Sequence, residues 1–420
     1  MFETFLLMAL AAFATALYLI ISRKRWIPPP DSKLTTMGNI QTALPNIARL
    51  TGSALHHGNE ATLFQNGKFL EAMLEHIADA QITVHLETFV WHKGNFEKRL
   101  VNLLSEKAQQ GVTVRVLVDA VGARNASKSQ MAKLRDQGVE LAFYHPINRF
   151  SLRRFNNRNH RKLLIIDGTS AFIFGHGVKD VWYGKAHDSA HWRDTGVRLR
   201  GPSVASLQSV FIKDWIDAKQ PVPTGEGCFA EDVGNAGPVA VHVVESTSRQ
   251  GHSSVALLYM LAIASARKEV IIQNPYFATK KSVLDLLEQT VKRGVKVHLM
   301  LPGKQNDSYL LYRAGKHLYG SLLRAGVRIY EYEPNMLHQK IVIVDGVWSH
   351  IGTTNLDTRS LAINAEVGVG LLDKNIAQEL RSAFQQDCQH SHELTFDKWQ
   401  NRKWYQRGGD WAAYQLHGQL

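Results

Sequence analysis

At 420 residues the chain is too long for one ordinary core and suits two domains, while 45% apolar and 20% charged residues exclude extended disorder. Lys and Arg outnumber Asp and Glu by 49 to 37, a formal charge of +12, so the surface attracts anionic partners, nucleic acid or anionic lipid, without choosing between them. Two cysteines, Cys228 and Cys388, stand far apart with no metal or redox spacing, which fits a reducing compartment.

From Thr4 to Ser22 the chain carries no charge, and Phe5 to Ile21 is almost wholly apolar. As a helix this stretch reaches roughly 28 Å, close to the hydrocarbon thickness of a bilayer. Arg23, Lys24, Arg25 and Trp26 follow, and by the positive-inside rule they keep that end cytoplasmic. A cleaved signal would open on Lys or Arg; Met1-Phe2-Glu3 supplies neither, and Ala14-Thr15-Ala16 lies inside the apolar run. Residues 1–26 therefore read as a retained anchor, with the rest of the chain facing the cytoplasm. Pro28-Pro29-Pro30 ends any helix, and 27–54 reads as a linker.

Two long stretches then repeat one another. An amphipathic helix from Phe69 to Ala80 leads to the strand-like ITVHLETFVW, then to a helix ending in AQQGVTVRVLVD, where Gly111 stops the helix. In the second stretch a helix from Val255 to Arg267 leads to VIIQNPYF, and VKRGVKVHLML repeats the stop at Gly294. LRDQGVELAFYHP (Leu134 to Pro146) and LLRAGVRIYEYEP (Leu322 to Pro334) follow in turn. The pattern predicts α/β architecture with a mixed, mostly buried sheet in each half. The lobes run over 55–220 and 241–395, the Pro/Gly-rich 221–240 joins them, and 396–420 is an aromatic and basic tail.

Each half then carries a histidine motif, HRKLLIIDG with His160, Lys162 and Asp167, and HQKIVIVDG with His338, Lys340 and Asp345. On a strand, residues two apart share a face, so each histidine and its lysine point the same way. A lone strand histidine is usually a hydrogen-bonded structural residue; two at corresponding places of a repeat point to chemistry. A phosphodiester is anionic, and two lysines suit its non-bridging oxygens. Two imidazoles divide the rest, one attacking phosphorus and one giving its proton to the leaving alkoxide. Downstream, RDTGVRL and NAEVGVGL align Asp194 with Glu366, and a carboxylate on a ring nitrogen would fix tautomer and orientation; the alternative pairs each acid with an arginine such as Arg193 or Arg198. After Asp345, GVWSHIGTTNLDTRS offers Gly352, Thr353 and Asn355 as a turn near the phosphate. The first half reads GTSAFIFGHGVKD, where Gly175 matches Gly352 and Gly177 stands in place of Asn355, so an asymmetric site is expected.

These residues resemble the HKD motifs of the phospholipase D superfamily and, within it, the bacterial cardiolipin synthases. The likeness spans roughly Gly52 to Cys388 and includes LETFVW, GVTVRVLVDAVG, WRDTGVRLRGP and NLDTRSLAINAEV. It implies two similar α/β lobes with mixed sheets packed face to face, in the bacterial inner membrane. It implies a phosphatidyl-histidine on His160, with His338 protonating departing glycerol and then acting as base for a second lipid hydroxyl. Lys162, Lys340, Asn355 and Thr353 fall at phosphate-contacting positions; Asp167 and Asp345, though motif members, read as supports. The reaction is transesterification from phosphatidylglycerol to a second phospholipid, phosphatidylglycerol or similar, without metal or other cofactor; whether the second lipid substrate is phosphatidylglycerol or phosphatidylethanolamine is left open. Hydrolysis, phosphatidylserine synthesis, nuclease action and non-catalytic phosphate binding are the alternatives.

Between Arg149 and Lys162 stand Arg149, Arg153, Arg154, Arg158, Arg161 and Lys162 without an acid, interleaved with Phe150, Leu152 and Phe155, which suits an anionic membrane surface. With the anchor, this favours phospholipid over nucleic acid as partner; oligomeric state is left open. In the tail, Trp399, Trp404, Tyr405, Trp411 and Tyr414 beside Lys398, Arg402, Lys403 and Arg407 suit either a bilayer interface or packing on the domain. His176, His187 and His191 lack metal spacing and read as structural or surface residues. Glu87 and Tyr276, ending paired early strands, are candidates to line the site.

Overall fold

Glycine stops and apolar runs punctuate the chain as the sequence pattern implies. The computed structural model describes Met8 and residues 38–146, 156–186, 188–223, 225–230, 233–247 and 253–416. The expected anchor apart from Met8, the Arg149–Phe155 part of the basic segment, and His187 lie outside the described residues. Among the described residues no helix is long and apolar enough to cross a membrane.

After α1 (Ile40–Leu50) the first half reads β1 (Leu55–Gln65), α2 (Lys68–Asp79), β2 (Thr83–Thr88), α3 (Asn95–Gln109), β3 (Thr113–Asp119), α4 (Lys128–Asp136), β4 (Glu140–Tyr144), β5 (Leu163–Ile166), β6 (Ser170–Phe174), β7 (Thr195–Arg200) and α5 (Ser203–Asp217). The second reads β8 (Val239–Ser246), α6 (Ser254–Ala264), β9 (Glu269–Gln273), β10 (Phe277–Ala278), α7 (Lys281–Lys292), β11 (Lys296–Pro302), α8 (Tyr309–Ala325), β12 (Arg328–Tyr332), β13 (Ile341–Val344), β14 (Trp348–Gly352), β15 (Leu356–Asp357), α9 (Thr358–Ala362), β16 (Glu366–Leu372) and α10 (Lys374–Gln389). β17 (Ser391–Leu394), α11 (Phe396–Gln400) and α12 (Trp404–Leu416) follow. Gly111 and Gly294 adopt φ of 91° and 84°, the left-handed conformation that ends α3 and α7.

In each half the early strands are parallel, β2–β3–β4 and β9–β11–β12, and the motif hairpins β5–β6 and β13–β14 run antiparallel, so the sheets are mixed. Two separate sheets are not what forms. β1 pairs with β8, which makes one sheet of 15 strands continuous through both halves. The two halves share a core: Leu163, Ile165 and Val197 of the first half lie in one buried cluster with Ile341, Ile343 and Val369 of the second, along with residues of α5 and α10. Outer helices cover the opposite faces, α2 and α3 on one half, α6, α7 and α8 on the other.

One segment expected in the linker is structured. Asn39 caps α1, its side chain accepting from the Thr42 amide at 3.1 Å, and Ile40, Leu44 and Ile47 are buried against α6 of the second half. Each such aliphatic side chain contributes about 1.5–3 kcal/mol, enough to hold α1 in place.

The two motif strands end on equivalent turns. Asp167-Gly168 and Asp345-Gly346 have φ of 52° and 65°, and 55° and 65°. This is the mirror-image turn that Asp-Gly favours in hairpins. Asp167 also accepts the amides of Gln81, Ile82 and Thr83 at 2.7–2.9 Å, and Asp345 those of Arg267, Lys268 and Glu269 at 2.7–3.1 Å. The aspartates thus pin each hairpin to the strand beside it. At about 3.3 Å per residue they sit some 16 Å along the chain from the lysines. Hairpin register also corrects one alignment. Leu163 pairs with Ile173 and Ile341 with Ile351, which makes Phe174 the counterpart of Gly352, Gly175 that of Thr353, and Gly177 that of Asn355.

Candidate active site

The lead-in to each motif strand crosses to the other half of the chain. Asn159 bridges to Ala365, and the His160 amide donates to the Ala365 carbonyl at 2.9 Å. Leu337 bridges to Arg193, and the His338 amide donates to the Arg193 carbonyl at 2.7 Å. Each histidine is thereby laid beside the residue that follows its partner's bridge, the opposite half's acid. His160 Nδ1 lies 3.0 Å from both Glu366 carboxylate oxygens, and His338 Nδ1 lies 2.7 Å from Asp194 Oδ2. A carboxylate only accepts, so Nδ1 carries the hydrogen and Nε2 keeps its lone pair. The arginine alternative does not occur: Arg193 pairs with Asp387 and Arg198 with Glu60.

The lysines complete the cluster. Lys162 Nζ donates to the His160 carbonyl at 2.7 Å; Lys340 Nζ donates to the His338 carbonyl and lies against the imidazole, 2.8 Å from His338 Nδ1 and 3.1 Å from Nε2. Both lysines and both acids are buried, and the His160 side chain is 12% exposed. Burial takes charge out of water, so it acts on both histidines and both lysines. It lowers His160 to about 4 against the opposing pull of Glu366, Lys162 to about 7 and Lys340 to about 8. His338 falls well below its ordinary value through burial, then through Lys340, Lys162 and His160. Burial pushes the Glu366 carboxyl up, but His160, Lys162 and the Thr353 hydroxyl outweigh it and the net shift is down. The two pairs therefore share one electrostatic site, across which each half feels the other's charges.

Asymmetry surrounds this near-symmetric centre. Thr353 donates its hydroxyl to Glu366, whereas at Gly175 an added Cβ would sit 2.5 Å from Asp194 Oδ1. The shorter Asp194 fills that space itself. Asn355 is buried and bonds Asp357, whose carboxyl burial raises to about 6 and whose charge reaches Lys340. At Gly177 a Cβ would meet Val90 at 2.7 Å and Trp182 at 3.0 Å, so no asparagine fits there.

Sequence reasoning missed the walls. Phe89 meets the His160 ring edge-on at 5.2 Å, and Trp182 and Trp192 flank His338 at 5.2 and 5.3 Å. Phe89 and Trp192 lie within or beside the quoted LETFVW and WRDTG segments, where an aromatic next to a polar site residue was the available signal. Glu87 does not line the site. It is buried beneath it, accepting from Asn159, and burial and then Asp214 push its carboxyl well above the usual range. Tyr276 donates its hydroxyl to Asp307 at 2.7 Å, and Asp307 in turn acts on Lys340. His176 stacks on Phe69 at 4.7 Å behind the His338 pair, and His191 bonds Asp188 at 2.8 Å.

Two like halves that meet in a cluster of paired imidazoles and ammonium groups define a phospholipase D-like enzyme. The family described as "Cardiolipin synthase, PLD-like domain" matches residues 73–178 and 259–388, more than half of the chain, and the chain belongs to it. Cardiolipin synthase 2 of Staphylococcus epidermidis is 32% identical over 348 residues, covering 82% of this chain and 71% of the relative. Cardiolipin synthase A of Pseudomonas putida is 32% identical over 391 residues, covering 92% and 80%. Among solved structures, the phosphatidylserine synthase of Haemophilus influenzae aligns with a TM-score of 0.63 at 15% identity over 88% of this chain and 95% of that one, a likeness of fold.

Proposed function

We propose that the chain transfers a phosphatidyl group from phosphatidylglycerol to a headgroup hydroxyl of a second phospholipid, phosphatidylglycerol or a similar hydroxyl-bearing lipid, and releases glycerol. The observation that carries this is the pair of cross-half carboxylate–imidazole contacts, Glu366 to His160 and Asp194 to His338, with a lysine against each.

In this reading the lysines and Asn355 hold the phosphodiester oxygens, and the anion's charge favours the protonated lysines and imidazoles against the burial that lowers them. The lone pair of His160 Nε2 attacks phosphorus, and the bond to glycerol oxygen breaks as His338 gives that oxygen its proton. Neutral His338 then takes the proton of the second lipid's hydroxyl. The freed oxygen attacks phosphorus, the phosphorus–nitrogen bond breaks, and both imidazoles return to their starting state. Glu366 and Asp194 hold ring orientation and offset imidazolium charge. The site residues as a set are His160, Lys162, His338, Lys340 and Asn355, with Thr353 steadying Glu366. Asp167 and Asp345 act through the fold.

Residues 1–26 would anchor the chain as a single span with the site on the cytoplasmic side, and the basic stretch from Arg149 to Arg154 would meet anionic headgroups; Arg158 and Arg161, expected to join it, are instead buried and ion-paired with Asp119 and with Asp214 and Glu245. The test uses purified full-length protein with phosphatidylglycerol vesicles. Cardiolipin and glycerol should appear in equal amounts, and His160→Ala should abolish both along with any phosphorylated protein adduct. Phosphatidic acid as the main product would make the protein a hydrolase, and undiminished turnover by His160→Ala would remove the nucleophile assignment.

A further inference from the structure

Large exposed apolar side chains gather on one surface of the second half. α12 docks on α8 through Asp410, Ala413 and Tyr414; Asp410 is buried and ion-paired with Arg313 and Arg402, and the Tyr414 ring lies 4.9 Å from His317. Opposite that stripe, Trp404 is 83% and Trp411 56% exposed, with Tyr405 exposed beside them. Positions 404 and 411 are two turns apart and share a face, so the rings form an outward row. Exposed Tyr309 and Leu310 at the start of α8 belong to the same surface. Arg313 ties the helices there, donating to the Tyr309 hydroxyl and to the Gln406 carbonyl, each at 2.7 Å.

Two observations point to what covers this row. The first is charge. Asp410, the one acid between Lys398 and Leu416, is already ion-paired, whereas Lys398, Lys403 and Arg407 are exposed. Tryptophan and tyrosine beside exposed basic groups match the headgroup region of an anionic bilayer, where a ring has both apolar and wet surroundings. The second is position. α8 begins two residues after Asp307, which accepts from Tyr276 and whose charge reaches Lys340, so the row runs outward from the edge of the candidate site.

We propose that α12 and the start of α8 form an interfacial docking surface for a bilayer rich in anionic phospholipid, distinct from the N-terminal anchor, that turns the mouth of the site toward the lipid. Docking rests on this surface alone; only its purpose rests on the proposed activity.

The test places an environment-sensitive fluorophore on full-length Trp411→Cys, and separately on Phe229→Cys as an exposed control in the segment that joins the halves, both with Cys388→Ser. In phosphatidylglycerol vesicles the 411 probe should brighten roughly threefold, shift to the blue and be quenched by shallow spin-labelled lipid, while the 229 probe stays unchanged. No response, an equal response in phosphatidylcholine vesicles, or a response in detergent that grows with protein concentration and so reports a second copy, would overturn the proposal. Trp404→Ser/Trp411→Ser should lower turnover on phosphatidylglycerol vesicles roughly tenfold and leave turnover of short-chain monomeric phosphatidylglycerol unchanged. Equal loss on both substrates overturns it as well. If wild type turns over neither, the activity reading fails while the fluorophore still decides docking.

Discussion

Exchanging each cross-half carboxylate for its amide separates the two histidines by role. Glu366→Gln keeps the volume but removes the charge that His160 Nδ1 meets at 3.0 Å, in a place with no solvent exposure. A hydrogen bond to a charged group contributes about 1.5–3 kcal/mol, or roughly 10–150-fold in rate, and loss of the correct tautomer extends this to about 10²–10⁴-fold. Asp194→Asn should cost a similar factor through His338 on phosphatidylglycerol, so the natural substrate cannot tell the two apart. An analogue with nitrophenolate in place of glycerol can, because so weak a base departs without a proton. On that analogue the first-turnover burst of Asp194→Asn should return to within about tenfold of wild type, whereas Glu366→Gln stays slow. The assay is rapid-mix release of nitrophenolate, with thermal melts to confirm folding. Rescue of Glu366→Gln in place of Asp194→Asn would reverse the assignments of His160 and His338, and rescue of neither would refute the division of labour.

Three further outcomes follow from the same geometry. A non-reacting phosphonate analogue bound at pH 7.5 should draw in about one proton, since the incoming anion raises Lys162 from about 7 and lifts the depressed imidazoles; calorimetry in buffers of different ionisation heat reads this, and proton release would contradict it. Gly177→Asn should destabilise the fold by about 1–3 kcal/mol through contact with Val90 and Trp182 and should not improve phosphate binding, as denaturation and phosphonate titration would reveal. Burial lowers His85 and His242 to about 4 and His350 to about 3, below the unfolded value of 6.5. Their contribution to stability is therefore full above pH 6.5 and lost as pH falls toward 4, and urea midpoints that hold steady from pH 7 to pH 4.5 would show these rings are not buried neutral.

What could be read from the chain was whatever repeats locally. His160 with Lys162 and His338 with Lys340 obey the two-residue strand period, and Asp-Gly turns follow each at the same distance, so the motif hairpins were legible without coordinates. Asp194 and Glu366 were legible as counterparts, but their partners were not, because no local pattern records that Ala365 pairs with Asn159 and Leu337 with Arg193. α1 escaped notice because its apolar face is complementary to a surface built more than two hundred residues later. The slip at Gly175 has a similar cause. Matching glycine to Gly352 by identity overrode the hairpin register that makes Phe174 its counterpart.

The crossing also bears on why the duplication stays a single chain. In either half alone, a buried carboxylate would face no imidazole, and the motif histidine would lose the group that orients it. Exchange of the acids between halves therefore couples assembly of the sheet through β1 and β8 to assembly of the site. It also lets the two copies diverge without parting. Glu366 is braced by Thr353, and Asp194 fills the space at Gly175 with one methylene fewer, so the carboxylates reach their rings by different routes. The rings then sit in different walls, Phe89 on one side and Trp182 with Trp192 on the other. Such differences in contact are what the proposed division into nucleophile and proton carrier requires of two groups that share one chemical identity, since only their surroundings can set their protonation apart.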